Sequence, residues 1–463
     1  MQATIQTKLW KLTDDARGHM NIIEFRNYLF CLMFYAYLSE QVKKKRNKGY
    51  TIKKKYLFSS MVDNVEHGIW NNELLKTAFV EFNNSIEGTE SAEALYDIFD
   101  DVDFSSTNLG RTEANRSLVI SKIILGLKDI DFSDSRVSGE IFEYLIASFS
   151  AASGKNTADI YSPVQVSKLL AQLVGNSSNE INGVYDPAMG SASSLLQVGS
   201  KVKVKNYFGT ELNKSTFNLA RMNMIIHGVK FNKLNLRNAN TLDDDQFKDK
   251  KFDAVVSIPP FSVNWEPVDD VRFNEYGKLA PRSKADYAFI EDMLYHLDEK
   301  GTMAVVLPHG VLFRGAAEGV IRKYIIDKQK SLDAVIGLPN NIFYGTMLAT
   351  VVLVFKKEKN HDDILFVDAF NDFEKTKKNN VITDDGIDRI IDAYNKRENI
   401  AKYAKAVSYD DIIKNDYNLN INRYIDTYED VEVNIEQVER DLKRTKTRIE
   451  NLDIKILGLL NKL

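Results

Sequence analysis

The period of the apolar positions changes twice along the chain. Ile22, Ile23, Phe25, Tyr28, Leu29, Leu32, Tyr35 and Leu38 recur at helical spacing, so residues 1–145 are expected to form a helical N-terminal domain. From about 160 to 370 the pattern becomes short apolar runs separated by helical segments. Seven runs, at 183–185, 207–210, 252–257, 303–307, 332–336, 351–355 and 364–367, predict the strands of a doubly wound, mostly parallel α/β sheet. The late runs lie close together, which predicts an antiparallel edge. Beyond about 430, Ile435, Val438, Leu442, Thr445, Ile449, Leu452, Ile456, Leu459 and Leu463 advance in alternating steps of three and four. That is a heptad seam with one polar interruption, suited to pairing with another helix, within or between chains. The expected organisation is therefore 1–145, 146–375 and 376–463.

Composition narrows the picture. A chain of 463 residues is too long for one core, and 44% hydrophobic with 27% charged residues is ordinary for a globular protein. No run reaches the ~20 apolar residues of a membrane span. Lys8, Lys11, Asp14, Asp15 and Arg17 interrupt any secretory leader. The single cysteine, Cys31, fits a reducing cytoplasm, and six scattered histidines show no metal-ligand spacing. A net charge of -4 and a pI near 6.0 disfavour strong DNA binding by the chain alone. They leave room for a local basic groove or for a partner that supplies affinity. The basic cluster from Lys43 to Lys55 reads either as a phosphate contact or as a solvated loop.

The chemistry-bearing signals lie in the middle of the chain. In Phe252-Asp253-Ala254-Val255-Val256-Ser257-Ile258-Pro259-Pro260-Phe261, a buried parallel strand delivers a rigid turn and an aromatic ring to its carboxyl end. Open α/β sheets bind ligands there. Upstream, Val184-Tyr185-Asp186-Pro187-Ala188-Met189-Gly190-Ser191-Ala192-Ser193 reads as strand, small-residue turn and helix start. Small residues let a ligand approach the backbone, and the helix start exposes free N–H groups. No Lys-Ser/Thr pair follows, which excludes a nucleoside-triphosphate loop of the usual kind. Glu211 ends the next strand, where an acid can accept hydrogen bonds from ribose hydroxyls. A dinucleotide-binding dehydrogenase would look similar at this pair, and Asp186 also reads as an ordinary helix cap.

Taken in order with Ala158-Asp159-Ile160-Tyr161-Ser162-Pro163, these segments resemble the modification (methyltransferase) subunit of type I restriction-modification systems. Ser283-Lys284-Ala285-Asp286-Tyr287-Ala288-Phe289, Leu307-Pro308-His309-Gly310-Val311-Leu312-Phe313-Arg314 and Gly337-Leu338-Pro339-Asn340-Asn341-Ile342-Phe343-Tyr344-Gly345-Thr346 match it too. The resemblance spans Trp10 to the terminal helix. It implies S-adenosylmethionine as cofactor and the exocyclic amine of adenine in DNA as substrate. It also implies a DNA-specificity subunit, a motor-nuclease (restriction) subunit and a second modification subunit as partners. By the same resemblance Tyr161, Ser162 and Pro163 line the methionine end of the cofactor. Asp186 and Gly190 hold its amino-acid portion and Glu211 its ribose, with Ser191 and Asn240 as further cofactor-binding residues. Pro259, Pro260 and Phe261 form the base pocket.

The chain departs from the family pattern at that pocket. The family's catalytic loop is Asn/Asp-Pro-Pro-aromatic, and here the amide position holds Ile258. The usual Gly-Ser-Gly is Gly190-Ser191-Ala192, and the acid toward the cofactor's adenine is replaced within Asn238-Ala239-Asn240. Drift clustered on one pocket predicts weakened or lost catalysis. The alternatives are a fully active adenine methyltransferase and a methyltransferase acting on a protein or RNA amine, the last opposed by the whole-chain match.

Overall fold

The computed structural model describes residues 9–10, 20–153, 163–175, 179–343, 346–377, 379–426 and 435–460. Two compact units emerge, 1–425 and 426–463.

In the first unit a nine-stranded sheet has the order β11-β8-β6-β7-β5-β4-β1-β2-β3. Its strands are β1 (Glu180–Asp186), β2 (Lys203–Glu211), β3 (Leu234–Asn238), β4 (Phe252–Ser257), β5 (Leu297–Pro308), β6 (Leu332–Gly337), β7 (Thr350–Lys356), β8 (Asp363–Asp368) and β11 (Ala404–Ser408). A separate hairpin joins β9 (Phe373–Lys375) to β10 (Asn380–Ile382). All seven expected strands are present. From β1 the chain moves outward to β2 and β3, then returns to the other side with β4 and β5, all parallel. The switch point therefore lies between β1 and β4, where doubly wound sheets open a ligand crevice.

Two details differ from expectation. The antiparallel strand is not confined to an edge: β7 lies inside the sheet, antiparallel to both β5 and β6. A parallel crossover needs a dozen or more residues, usually with a helix. The described residues between Gly337 and Thr350 contain no helix, so the chain returns antiparallel. The edge is antiparallel as well, because β11 pairs that way with β8. The sheet thus extends past residue 375, with the helix Asp384–Lys396 burying Ile387, Ile390 and Ile391 on the way. Strand β3 escapes the sequence pattern because it offers only Leu234 and Leu236 to the interior.

The N-terminal helices form a layer centred on Ile22–Lys43, whose residues from Tyr28 to Ser39 are all buried. A helix apolar on all sides must sit inside other elements. Its Tyr35 joins an aromatic cluster with Phe79, Phe82 and Phe99, in which Phe79 and Phe99 stack at 4.2 Å. The layer is tied to the sheet's helix Lys214–Ile226 by Arg221 donating to the Tyr96 carbonyl at 2.9 Å and by Asn218 donating to Asp101 at 2.5 Å. The cations of the basic cluster are exposed. Tyr50, among them, meets Phe231 edge-on at 6.3 Å. Phe231 leads into β3, so the cluster lies at the end of the sheet where parallel strands begin, away from the loops that carry the site.

Glu291, on the helix Asp286–His296, is fully buried, and neither carboxylate oxygen has a hydrogen-bond partner among the described residues. Burial, with Glu275 adding to it, holds its carboxyl well above the usual range. The folded state therefore keeps a proton that the unfolded chain releases. Stability is complete below the unfolded value near 4.3 and falls as pH rises toward the folded one. Glu291→Gln should match the parent near pH 4 and exceed it by about 1–3 kcal/mol at pH 8. Urea unfolding at the two pH values checks this, and a gain that does not grow with pH contradicts it.

In the second unit, the helix Ile435–Leu460 leaves Ile435, Val438, Leu442, Ile449, Leu452, Ile456 and Leu459 at least half exposed. Within the described residues of this unit the heptad seam is therefore uncovered. Its last expected position, Leu463, lies outside the described residues.

Candidate active site

The carboxyl ends of β1, β2 and β4 build the site. β1 delivers Asp186, and the turn after it places Gly190 at φ 53° and Ala192 at φ 63° before the helix Ser193–Lys201 begins. Glu211, ending β2, reaches back over this turn. Its Oε2 accepts the Gly190 N–H at 3.1 Å and its Oε1 accepts the Asn213 N–H at 2.8 Å. Asp186 accepts the Ala188 N–H at 3.0 Å and the hydroxyl of Ser257 at 2.8 Å. Burial pushes the Asp186 carboxyl up to about 7, against the pull of those two donors. Because Ser257 is the last residue of β4, it links the acid on β1 directly to the loop that follows β4.

That loop is Ile258 to Phe261. Ile258 is half-buried against the core and Pro259 is buried. Phe261 meets Phe343 edge-on at 5.3 Å. The next residue, Ser262, has φ 52° and is clamped by the buried Asp286, which accepts its N–H at 2.8 Å and its hydroxyl at 3.0 Å. Arg314 pairs with the same carboxylate at 2.7 Å and with Glu318 at 2.9 Å. The three downstream motifs seen in the sequence thus converge on this loop: Asp286 and Arg314 anchor it, and Phe343 supports its ring.

Beside the loop opens a cavity of about 410 Å³, lined by Glu211, Asn240, Ile258, Pro260, Asn264 and Trp265 among others. That volume lies within the range of small-molecule sites. Its Thr241–Leu242 wall is held by the fully buried Arg272, which donates to the Thr241 carbonyl at 2.6 Å and pairs with Asp292 at 2.7 Å and Asp270 at 2.9 Å. Tyr185 and Thr241 share a hydroxyl hydrogen bond of 2.9 Å.

Glu211, Asn240, Ile258 and Pro260 meet on the cavity as the sequence suggests. Asn240 is already engaged, donating to Asp243 at 2.9 Å and accepting the Leu242 N–H at 3.3 Å. Asp186, Gly190, Ser191, Pro259 and Phe261 are not on its wall; Pro187 and Ala188 take that place on the β1 side. Pro163 is half-buried ahead of the helix Val164–Val174, and Tyr161 and Ser162 lie outside the described residues. The sequence marks no role for Ser257, Asn264 or Trp265, and shows Asp286 only as part of a matching segment. A hydroxyl at the last interior position of an apolar strand was the one available signal for Ser257.

Ala192 occupies the left-handed region that the family's glycine tolerates freely. A non-glycine residue there costs roughly 1–2 kcal/mol. Removing its buried methyl forfeits about 0.8 kcal/mol. Ala192→Gly should therefore be neutral to about 1 kcal/mol stabilising, visible as a higher Tm. A clear loss of stability would contradict the strain.

A mostly parallel doubly wound sheet with an acid on β1, an acid on β2 and a Pro-Pro turn after β4 is the architecture of an S-adenosylmethionine-dependent methyltransferase, and comparison with known proteins bears that class out. Residues 133–432 match the N-6 DNA Methylase family model, and residues 5–125 match the HsdM N-terminal domain. The methylase subunit of the type I restriction enzyme MpnII from Mycoplasma pneumoniae is 33% identical over 98% of this chain and 96% of that one. The solved type I restriction-modification methyltransferase subunit from Streptococcus thermophilus is 36% identical, covering 92% of this chain and all of that one, with a TM-score of 0.85. A chain from a solved type I assembly shares the fold, at 19% identity and a TM-score of 0.68. The chain belongs to the N-6 DNA methylase family, as a type I restriction-modification methyltransferase subunit. Membership makes S-adenosylmethionine the cofactor. No helix among the described residues is long and apolar enough to cross a membrane.

Proposed function

We propose that this chain is the modification subunit of a cytoplasmic phage-defence complex whose adenine-N6 methyl transfer to DNA is weakened or lost at Ile258. Residues 146–375 would carry the cofactor and the loop, 1–145 the helical support. Residues 376–463 would end in a helix whose bare heptad seam docks the DNA-specificity subunit. A second modification subunit and, for cleavage, a motor-nuclease subunit would complete the assembly. The donor set suits the cofactor. Glu211, which lines the cavity, would accept from ribose hydroxyls, Asp186 would add negative charge near the amino-acid end, and the cavity would take the adenosine. Bound cofactor would supply an electrophilic methyl group. The protein's part is to stack a flipped base on Phe261 and to orient its amine. Pro259 can offer a backbone carbonyl to one amine hydrogen. The Ile258 side chain has no acceptor for the other, and this observation carries the reading.

A second reading, of full activity, draws on Asn264. It lines the same cavity as Ile258 and makes no hydrogen bond in the described structure, so its amide oxygen could replace the missing acceptor. The test measures cofactor binding and methyl transfer to duplex DNA with the cognate specificity subunit. The first reading expects binding with little transfer. Strong transfer by the unchanged protein refutes it, and loss of that transfer in Asn264→Leu establishes the second.

A further inference from the structure

The cofactor turn is held from below as well as from above. Glu143 lies on the helix Ser135–Ser153, whose Phe142 packs against Phe30 of the N-terminal layer at 4.5 Å. Its carboxylate accepts the Ser193 hydroxyl at 2.8 and 3.0 Å and the Asn223 side-chain amide at 2.6 Å. The same Asn223 nitrogen donates to the Ser191 carbonyl at 2.9 Å, and the Ser191 and Ser193 hydroxyls are 2.9 Å apart. Both partners of the Asn223 nitrogen are acceptors, so the amide orientation is set. Its Oδ1 is left buried with no hydrogen bond in the described structure. An orphaned buried acceptor is unfavourable, and it persists here because both donor contacts require that orientation.

The turn needs this support. Ala192, at the N-cap of the helix Ser193–Lys201, makes no side-chain capping bond and sits at positive φ. A cap normally satisfies free N–H groups of the first turn and fixes the entry of the chain. Here the anchoring carboxylate comes from another helix, 50 residues earlier in the chain.

We infer that Glu143 is a positioning residue that fastens the cofactor turn, through Ser193 and Asn223, to the N-terminal helical layer. The order of Gly190 to Ser193 then depends on the docking of that layer. This rests on the reading of the turn as the cofactor's seat only for its consequence, not for the brace itself.

Hydrogen–deuterium exchange of the unliganded full chain tests the brace. In Glu143→Ala, exchange across 189–195 should rise at least tenfold, while β4 and the Tm stay close to the parent. Glu143→Gln keeps one acceptor for Ser193 and should restore most of the protection. S-adenosylmethionine should bind at least fivefold more weakly to the Ala variant and within threefold of the parent to the Gln variant. Unchanged exchange across 189–195 in the Ala variant overturns the inference, as does a rise shared equally by β4. If the turn loosens as expected but the parent protein binds no cofactor, the brace stands and the functional reading falls.

Discussion

Replacing Ile258 by Asn is expected to raise methyl transfer to DNA about tenfold to a hundredfold in the complex with the specificity subunit. The target amine carries two N–H groups that must be directed so that its lone pair faces the methyl group. The Pro259 carbonyl can accept one. With Ile258 the other is buried without a partner, which costs about 1–3 kcal/mol at the step where alignment matters. At about 1.4 kcal/mol per factor of ten, that is the stated range. The structure narrows the escape routes. The neighbouring hydroxyl of Ser262 donates to Asp286, and that of Ser257 donates to Asp186. Neither turns toward a base without leaving a buried carboxylate short of a donor. The gain should appear in single-turnover rate with little change in cofactor affinity. Ile258→Ala separates the two possible faults, because it removes the branched bulk without adding an acceptor. A rescue by Ala equal to that by Asn would assign the defect to shape. No rescue by Asn, in a protein that binds cofactor, would mean that hydrogen bonding at 258 does not limit the reaction.

Much of the scaffold can be read from pattern alone, because long-period signals survive in sequence. The seven apolar runs are strands, and the all-apolar stretch around Leu32 is a buried helix. What escapes depends on neighbours distant in the chain. β3 shows two interior leucines and is a strand only because β2 lies beside it. β7 reads like any buried strand, and its direction is fixed by the connection before it. The site divides in the same way. Glu211, Asn240, Ile258 and Pro260 meet on one cavity because each follows a strand at the same end of the sheet. The residues that hold them lie far away in sequence: Asp286 under Ser262, Arg272 under Thr241 and Glu143 under Ser193. Such supports are buried or half-buried polar side chains on helices, where sequence offers no period to mark them. The penalty for an unpaired buried group makes them visible only once the fold brings their partners near.

S-adenosylmethionine should bind more tightly as pH rises from 5.5 to about 7, by roughly tenfold per unit at the steep end, and then level off. The cause is Asp186. Its carboxyl is pushed up to about 7, so it is largely neutral at the acid end of that range, half ionised at the other and fully ionised only about a unit higher. A cation entering beside it favours the ionised form, and each proton that must leave for binding makes affinity change about tenfold per pH unit. The cofactor carries positive charge on both its sulfonium and its α-ammonium group. An α-amino group titrates near 8, so affinity should not keep rising beyond that. Asp186→Asn should abolish the dependence and bind weakly throughout. Ser257→Ala offers the finer test. The Ser257 hydroxyl favours the ionised carboxylate at 2.8 Å, so its loss should raise the Asp186 value and move the midpoint to higher pH. Titration calorimetry across the range decides the matter. A profile flat from pH 5.5 to 7.5 in the parent would show that the charge on Asp186 is not felt by the ligand, leaving this acid as the tie between β1 and β4 and nothing more.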